Sequence, residues 1–585
     1  MKKIPQIYDY NDKLAVKDKL FTPQSGVKLN DGLFKTVFEN NIEFLKLLDM
    51  GKMLYWFDEK TETPTEAEPY RGHFEDNLKG STLSMFLMGA ANTLRWTDEE
   101  ELQRLIKIGV DRIKSAAEPD GFLMPIKQSE FPSKEYPHYT RIWLTYALSA
   151  VGLSCDEGGY ELLARWQDWF NSCVDLPVIK YLCLAFQGVV ASPYVYINTP
   201  VGKSEDIEIT IEHYEELWRL SQFMRKEKDC VHIRKQPGEE PHAHGSELEA
   251  IEGYLDLYRA TARNYYLAAV LGAWELYHRD WEHPGGGIVM CEGMPTNYPG
   301  CYWLNPKNHY NELCCTSFWL YLNLRLHRLF PEEEKYMAEV EKSLYNIAFA
   351  NQDGGKGIRY FGYLDQKKQE SGLVHCCCGV GTRIFGSLPE YVYSVSADTV
   401  SVNLYTPSEI DWESRFGRIK IKSDFDVTDS EDVKLTVYTE RDTEFTLMLR
   451  IPSWAAEEAE IRINGEAITK GKPGSYTVIK RVFKDGDIVT YNLKQTLRLT
   501  KYKGADELTG FGRYYIEKGP ILYAVSASDA DSARLIGWST DNFEDWLDPS
   551  EVKGVYSIKM HPDKKLVPYY MLDSDTPMTC CPIFT

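Results

Sequence analysis

Apolar residues recur at a helical period along the first two thirds of the chain, up to about residue 390. The stretch Thr97-Asp98-Glu99-Glu100 has the form of a capping box, and Leu102, Leu105, Ile106, Val110 and Ile113 follow on one face. Pro331-Glu332-Glu333-Glu334 opens another helix, with proline and acids in the first turn. About twelve such segments begin near Asp31, Ser81, Asp98, Pro137, Gly158, Pro177, Thr210, Ser246, Asn264, Tyr310, Pro331 and Gly379. Six antiparallel pairs suffice to close a barrel of helices; a helical solenoid has a similar count, but no fixed-period repeat accompanies it. After about Tyr391 the period becomes two. Val400, Val402 and Leu404 alternate with polar residues, as do Val433, Leu435 and Val437, and Phe445, Leu447, Leu449 and Ile451. Asn464-Gly465 is a hairpin turn, and Lys484-Asp485-Gly486-Asp487 is a second turn. Such short strands predict an antiparallel sandwich, with a further β region from about Gly510. The expected domains are a helical barrel over 1–392, a β-sandwich over 393–505 and a β-rich C-terminal domain over 506–585. Segregated helices and strands exclude a parallel βαβ architecture.

Charge narrows the partners. The 585 residues hold 66 Lys and Arg against 87 Asp and Glu, a net charge of −21. A chain this acidic is a poor binder of nucleic acid or anionic membrane, because both need a basic patch. Two lysines near the N-terminus precede no apolar run, so no signal peptide is predicted. The most apolar stretch, Tyr181 to Ile197, is too short and too polar for a membrane span. The expected location is the cytoplasm. The thirteen cysteines include Cys314-Cys315, Cys376-Cys377-Cys378 and Cys580-Cys581. In a reducing compartment such clusters point to metal or catalysis rather than to disulfides. Cys155, Cys173, Cys183 and Cys230 read as small buried hydrophobes.

Two clusters could carry chemistry. Asn311-Glu312-Leu313-Cys314-Cys315 and His375-Cys376-Cys377-Cys378-Gly379-Val380-Gly381 each stand at a helix start. Thiolates with a carboxylate or imidazole suit Zn²⁺, and helix N-termini favour the thiolate. Buried core cysteines are the competing reading of any one thiol. Cys291-Glu292 lies in a Gly/Pro-rich loop from which a carboxyl could reach the same cavity. His242-Ala243-His244 precedes a helix on which Glu247, Glu249 and Glu252 read as a solvated face. The 38 tyrosines and 14 tryptophans suit sugar rings, although most belong to a core. No Walker A loop, His-Glu-x-x-His pair or Gly-x-Ser-x-Gly elbow is present.

These residues resemble glycoside hydrolase family 127, the β-L-arabinofuranosidase family. The resemblance runs over most of the chain, weakest at the N-terminus and strongest from about residue 240. It rests on His242-Ala243-His244 with Glu252 to Thr261, on Glu312-Leu313-Cys314-Cys315, and on Cys376-Cys377-Cys378-Gly379-Val380-Gly381-Thr382-Arg383. Leu449-Arg450-Ile451-Pro452-Ser453-Trp454, Ile463-Asn464-Gly465 and Glu517-Lys518-Gly519-Pro520 resemble the β-sandwich that follows. The resemblance implies an (α/α)6 barrel with β-sandwich domains and a retaining mechanism with a zinc-held cysteine nucleophile. Carried over, Glu312, Cys314, Cys376 and Cys377 are the zinc ligands, Cys376 the nucleophile and Glu292 the acid/base. His242 or His244 binds the sugar. The triplet allows Cys377 and Cys378 as the pair instead, and the Gly379-x-Gly381 spacing favours Cys376 and Cys377. A family histidine falls at Arg141, beside His138 and Tyr139, and an arginine there could pair with an acidic sugar.

The implied function is release of a terminal furanose, β-L-arabinofuranose, from small plant-derived oligosaccharides. Two alternatives come from other classes. One is an (α/α)6 glycosidase or lyase that uses carboxylates; the other is a non-catalytic carbohydrate-binding protein with structural zinc.

Overall fold

The computed structural model describes residues 4–7, 11–131, 136–155, 158–173, 185–217, 246–290, 304, 310–504, 511–534 and 539–584. Its helical region contains α1 (Leu33–Leu47), α2 (Met50–Lys60), α3 (Ser81–Thr93), α4 (Glu100–Ala116), α5 (Tyr136–Ser154), α6 (Gly159–Cys173) and α7 (Ala185–Asn198). It continues through α8 (Ser204–Leu217), α9 (Ser246–Thr261), α10 (Asn264–Asp280), α11 (Leu313–Leu329), α12 (Glu334–Ser343) and α13 (Cys376–Gly386). Among the described residues α3, α5, α7, α9, α11 and α13 pack each on the next, and α13 returns to α3. A second helix lies against each of them: α4 on α3, α6 on α5, α8 on α7, α10 on α9, α12 on α11 and α1 on α13.

Burial follows this arrangement. In α11 every residue from Leu313 to His327 is buried, as expected for a helix enclosed on all sides. In α4 only Leu102, Leu105, Ile106, Gly109, Val110, Ile113 and Ala116 are buried, a single stripe. Glycine sets the closest approaches. A Cβ at Gly379 in α13 would collide with Met85 of α3, and one at Gly89 of α3 with Thr382 of α13. The Gly379 that follows the cysteine triplet is therefore required by packing.

Element starts depart from expectation in several places: α12 starts at Glu334, leaving Pro331 in the turn before it, and α13 starts at Cys376, so the triplet is its first turn and Gly379 lies inside it. Residues 310–312 are a strand, so α11 starts at Leu313 rather than near Tyr310. Helix α8 starts at Ser204, not near Thr210. The capping box before α4 is not formed, since Glu99 occupies the N-cap without a side-chain bond. The helix expected near Pro177 starts outside the described residues.

The β region begins with strand Tyr393–Val395. Two sheets face one another there, of seven and four strands. Strand Val27–Leu29 from the N-terminal region pairs with Ser408–Ser414 at the edge of the larger sheet, so the helical region and the sandwich share a strand. Asn464 and Gly465 both have positive φ (52° and 84°), the turn that their hairpin requires. The turn at Gly486 instead carries the chain from one sheet to the other. Strand Leu497–Lys501 pairs with Gly512–Lys518 in the C-terminal sheet, so that sheet begins before residue 506. Among the described residues no helix is long and apolar enough to cross a membrane.

Candidate active site

A sheet of three strands among the described residues positions the first half of the site. Val289–Met290, Tyr310–Glu312 and Phe361–Gly362 pair antiparallel, with Glu312 opposite Phe361. Glu312 is in extended conformation at the N-cap of α11, which places its carboxylate beside Cys314 in the first turn. The second half is the first turn of α13. His375 caps it by accepting a 3.2 Å bond at Nδ1 from Cys378 N–H. Burial holds this imidazole below its ordinary pKa. A neutral ring with Nδ1 as acceptor leaves Nε2–H to donate to Ile358 O at 3.2 Å.

The two helix starts bring four ligand-type side chains together. The ligand atoms of Glu312, Cys314, Cys376 and Cys377 all lie within 4.8 Å of one another. Cys314 Sγ is 3.1 Å from Cys377 Sγ, and Cys377 Sγ is 3.6 Å from Glu312 Oε1. Cys378 Sγ instead faces Gly372 O (3.4 Å) and His375 Nε2 (3.2 Å), turned away from the cluster. Cys315 Sγ donates to Glu312 Oε2 at 3.3 Å and so orients the carboxylate from behind.

The electrostatics of the four groups are unbalanced. Cys314 and Cys377, donating to Cys376, hold its thiol well below the ordinary value. Burial pushes Cys314 and Cys377 up. Of the three thiols, Cys376 is thus the one that ionises most readily, beside a carboxylate. Tyr360, whose Oη is 3.3 Å from Cys376 Sγ, is raised by burial and then by Cys376, Glu312, Cys377 and Cys314. Tyr139 is raised by burial and then by Cys376, Cys314, Glu249 and Glu312. Three soft donors and one hard donor surrounded by further acids match the donor set of a four-coordinate Zn²⁺ site, and a cation there would let all three thiols ionise.

Not all the expected contacts gather here. Arg141 is fully buried but donates to Gln167 Oε1 of α6 and Ser192 Oγ of α7, both at 2.8 Å, with its guanidinium over Phe170. Two residues along a helix are a rotation of about 200°, so Arg141 and Tyr139 occupy opposite faces of α5. Tyr139, which feels the charge of Cys376 and Cys314, is therefore on the cluster side of α5, and Arg141 is turned towards α6 and α7. His138 is buried with its ring 4.2 Å from that of Phe131, in the wall of the helical region. Glu249 and Glu252 are buried, not solvated: Glu252 is 3.1 Å from Arg325. Glu292, His242 and His244 lie outside the described residues. The sequence reading missed Tyr139, Tyr360 and Glu249 as neighbours of the cluster. The series Tyr139, Trp143, Tyr146 at i, i+4, i+7 was the available signal for the first.

Residues 26–191 match the family model described as the catalytic domain of the GH127 β-L-arabinofuranosidases, and residues 399–495 match that of the GH127 middle domain. The first match covers the region where the residue-by-residue resemblance is weakest. No curated protein matches the chain. Among solved structures, a GH127 β-arabinofuranosidase is similar over 99% of both chains, with 18% identity and a TM-score of 0.78. A GH127 β-L-arabinofuranosidase from Geobacillus stearothermophilus T6 covers 96% of this chain and 100% of its own, with 19% identity and a TM-score of 0.74. A glycoside hydrolase covers 99% of both chains, with 15% identity and a TM-score of 0.71. These structures share the fold.

Proposed function

The chain belongs to glycoside hydrolase family 127 and is a glycosidase, and from that premise we propose that it is a retaining β-L-arabinofuranosidase whose nucleophile is Cys376. The observation that carries the proposal is the meeting of Glu312, Cys314, Cys376 and Cys377 at two helix starts. The six successive helix pairs support reading the helical region as an (α/α)6 barrel, with the site at the N-terminal ends of α11 and α13.

Glu312, Cys314, Cys376 and Cys377 would hold Zn²⁺, which supplies a charge that keeps the thiolates ionised at neutral pH and lowers the basicity of sulfur. The Cys376 thiolate attacks the anomeric carbon as the glycosidic oxygen leaves with a proton from Glu292. Glu292 then removes a proton from water, whose oxygen displaces sulfur and returns the thiolate. Tyr360 steadies Cys376 from the side, and Tyr139 presents a phenol to the same space. A reducing compartment such as the cytoplasm keeps the thiols free, and there the substrate is a short oligosaccharide.

The test is hydrolysis of nitrophenyl furanosides and pyranosides, with NMR detection of the first-formed anomer. Retention on the β-L-arabinofuranoside is expected. Glu292→Gln should lower turnover about 10²–10⁴-fold on a natural glycoside and less on an activated one. Inversion, or an electrophilic furanose analogue attached to a glutamate instead of the peptide holding Cys376, would overturn the proposal.

A further inference from the structure

The opposite ends of the same helices carry a different chemistry. A cavity of about 80 Å³ is lined by residues near the C-terminal ends of α3, α5, α7, α11 and α13, among them Tyr146, Arg325, Arg328 and Arg383, together with Arg95 and Glu390. Seven residues of helix separate Cys376 from Arg383, about 10 Å along the axis, so this cavity lies well below the thiols.

Arginine charge here exceeds the acid that serves it. Arg95 Nη1 pairs with Glu390 at 2.6 Å and also donates to Asn92 Oδ1, while its other nitrogens donate to the carbonyls of Pro23 and Gln24. Arg325 pairs with Asp256 (2.8 Å) and Glu252 (3.1 Å). Arg259 and Arg328 share one oxygen of Asp18, at 2.5 Å each, and Arg259 also shares Asp256. Among the described residues five arginines, counting Arg383, thus meet four carboxylates. Burial raises Glu252 to about 7, which weakens one of the four at neutral pH.

Among the described arginines that line the cavity, two keep donors left over. Nε of Arg328 is buried with no acceptor among the described residues. Arg383 has no carboxylate within ion-pair distance among them; its guanidinium lies over the rings of Tyr321 (3.8 Å) and Tyr146 (4.6 Å). Aromatic faces orient a guanidinium without using its N–H groups, and those groups form a fork that fits an oxyanion. Helix C-termini favour the positive charge of arginine, but that effect is small and gives the N–H groups no partner of their own. At about 30 Å³ per water, the cavity has room for two or three waters or one tetrahedral oxyanion.

We propose that this basic cavity at the base of the helical ring binds a small oxyanion, with Arg383 and Arg328 as its ligands. The bound anion would tie α11 to α13, the two helices that carry the thiols at their other ends. It is a site for an effector or stabilising ion, distinct from the sugar site.

The experiment is calorimetric titration and thermal unfolding of the full-length protein with inorganic phosphate, at constant ionic strength set with chloride. Saturable binding near one per chain and a Tm rise of several degrees are expected. Arg383→Gln should lose both and Arg383→Lys should retain part. Arg328→Gln, which removes a partly exposed side chain, should weaken binding at least several-fold even if Arg383→Gln does not fold. Sulfate and acetate arms separate the ligand types: sulfate alone matching phosphate identifies a tetrahedral anion, and acetate matching both identifies a site for any small oxyanion, carboxylates included. No saturable binding up to tens of millimolar of any of the three, or binding unchanged in both arginine variants, would overturn the proposal.

Discussion

Among the described residues two clusters have the donor atoms of a metal site, and they solve the same electrostatic problem differently. Glu312, Cys314, Cys376 and Cys377 converge at the starts of α11 and α13. His278, Glu282 and Glu339 converge beside a cavity of about 660 Å³ where the helices meet both β domains. The second cluster already contains its cation. Lys342 Nζ is 2.5 Å from Glu282 and 2.9 Å from Glu339, and His278 Nδ1 is 2.5 Å from Glu282. Lysine and histidine raise the ionised fraction of Glu282, whose pKa falls to about 2, while burial and that neighbouring charge lift Glu339 to about 7. The thiol cluster is flanked instead by phenols and a further carboxylate. Ligand spacing alone does not separate the two; the presence or absence of a built-in positive charge does.

The sharpest break in this comparison is functional. Cys376→Ser should abolish turnover, a loss of about 10⁴-fold or more by analogy with other removed nucleophiles. Cys378→Ser should retain most activity, because its sulfur faces Gly372 and His375. Equal loss in both variants, measured as kcat on a nitrophenyl furanoside, would move the nucleophile or make the triplet structural.

Metal content tests the charge argument directly. Elemental analysis should find close to one zinc per chain, lost on Cys314→Ser and unchanged on Glu339→Gln. A second equivalent that disappears with Glu339→Gln would show that an internal lysine does not exclude a metal. Conversely, Lys342→Met leaves two buried carboxylates without their main cation. It should cost about 3 kcal/mol of stability, read as a lower denaturation midpoint, with activity kept in the folded fraction. A midpoint within error of the parent would mean that His278 alone balances the pair.

What could be read from the residues divides along a physical line. Helix starts and thiol clusters are legible because caps, periodicity and adjacent cysteines are local signals. Residues 376–378 illustrate the limit: three identical side chains differ only in the helical phase at which each leaves the first turn, and packing of Gly379 on Met85 sets that phase. In α5 almost every described residue is buried, so periodicity cannot tell the face of Tyr139 from that of Arg141. Glu249 and Glu252 looked solvated because an acid is usually exposed; here Arg325 reaches Glu252 from α11, a contact 73 residues away in sequence. The strand Val27–Leu29 has too few residues to announce that it completes a sheet nearly 400 positions later.

The smallest expected effect concerns how the lysine-containing cluster responds to pH. Glu339 is raised from 4.5 to about 7, so the folded state holds its proton more tightly than the unfolded chain does. Its contribution therefore favours folding at low pH and is lost as pH rises from about 4.5 to about 7. Glu282, lowered to about 2, acts in the opposite sense: its contribution is present above about 4.5 and lost as pH falls towards 2. His278 is raised, chiefly by its bond to Glu282, so the stability it adds is present below 6.5 and lost as pH rises through its folded value. Between pH 5 and 8 the parent should thus lose stability through both Glu339 and His278. Glu339→Gln removes the first loss, and a glutamine oxygen can still accept from Trp319 Nε1 as Glu339 Oε2 does at 3.3 Å. The variant should gain about 1–3 kcal/mol on the parent between pH 5 and pH 8, since one pKa unit corresponds to 1.36 kcal/mol and the two carboxyls share the proton. Urea midpoints at the two pH values measure this directly. The residual decline in the variant then reports His278, and parallel declines in parent and variant would mean that Glu339 is ionised throughout, with Lys342 carrying both carboxylates.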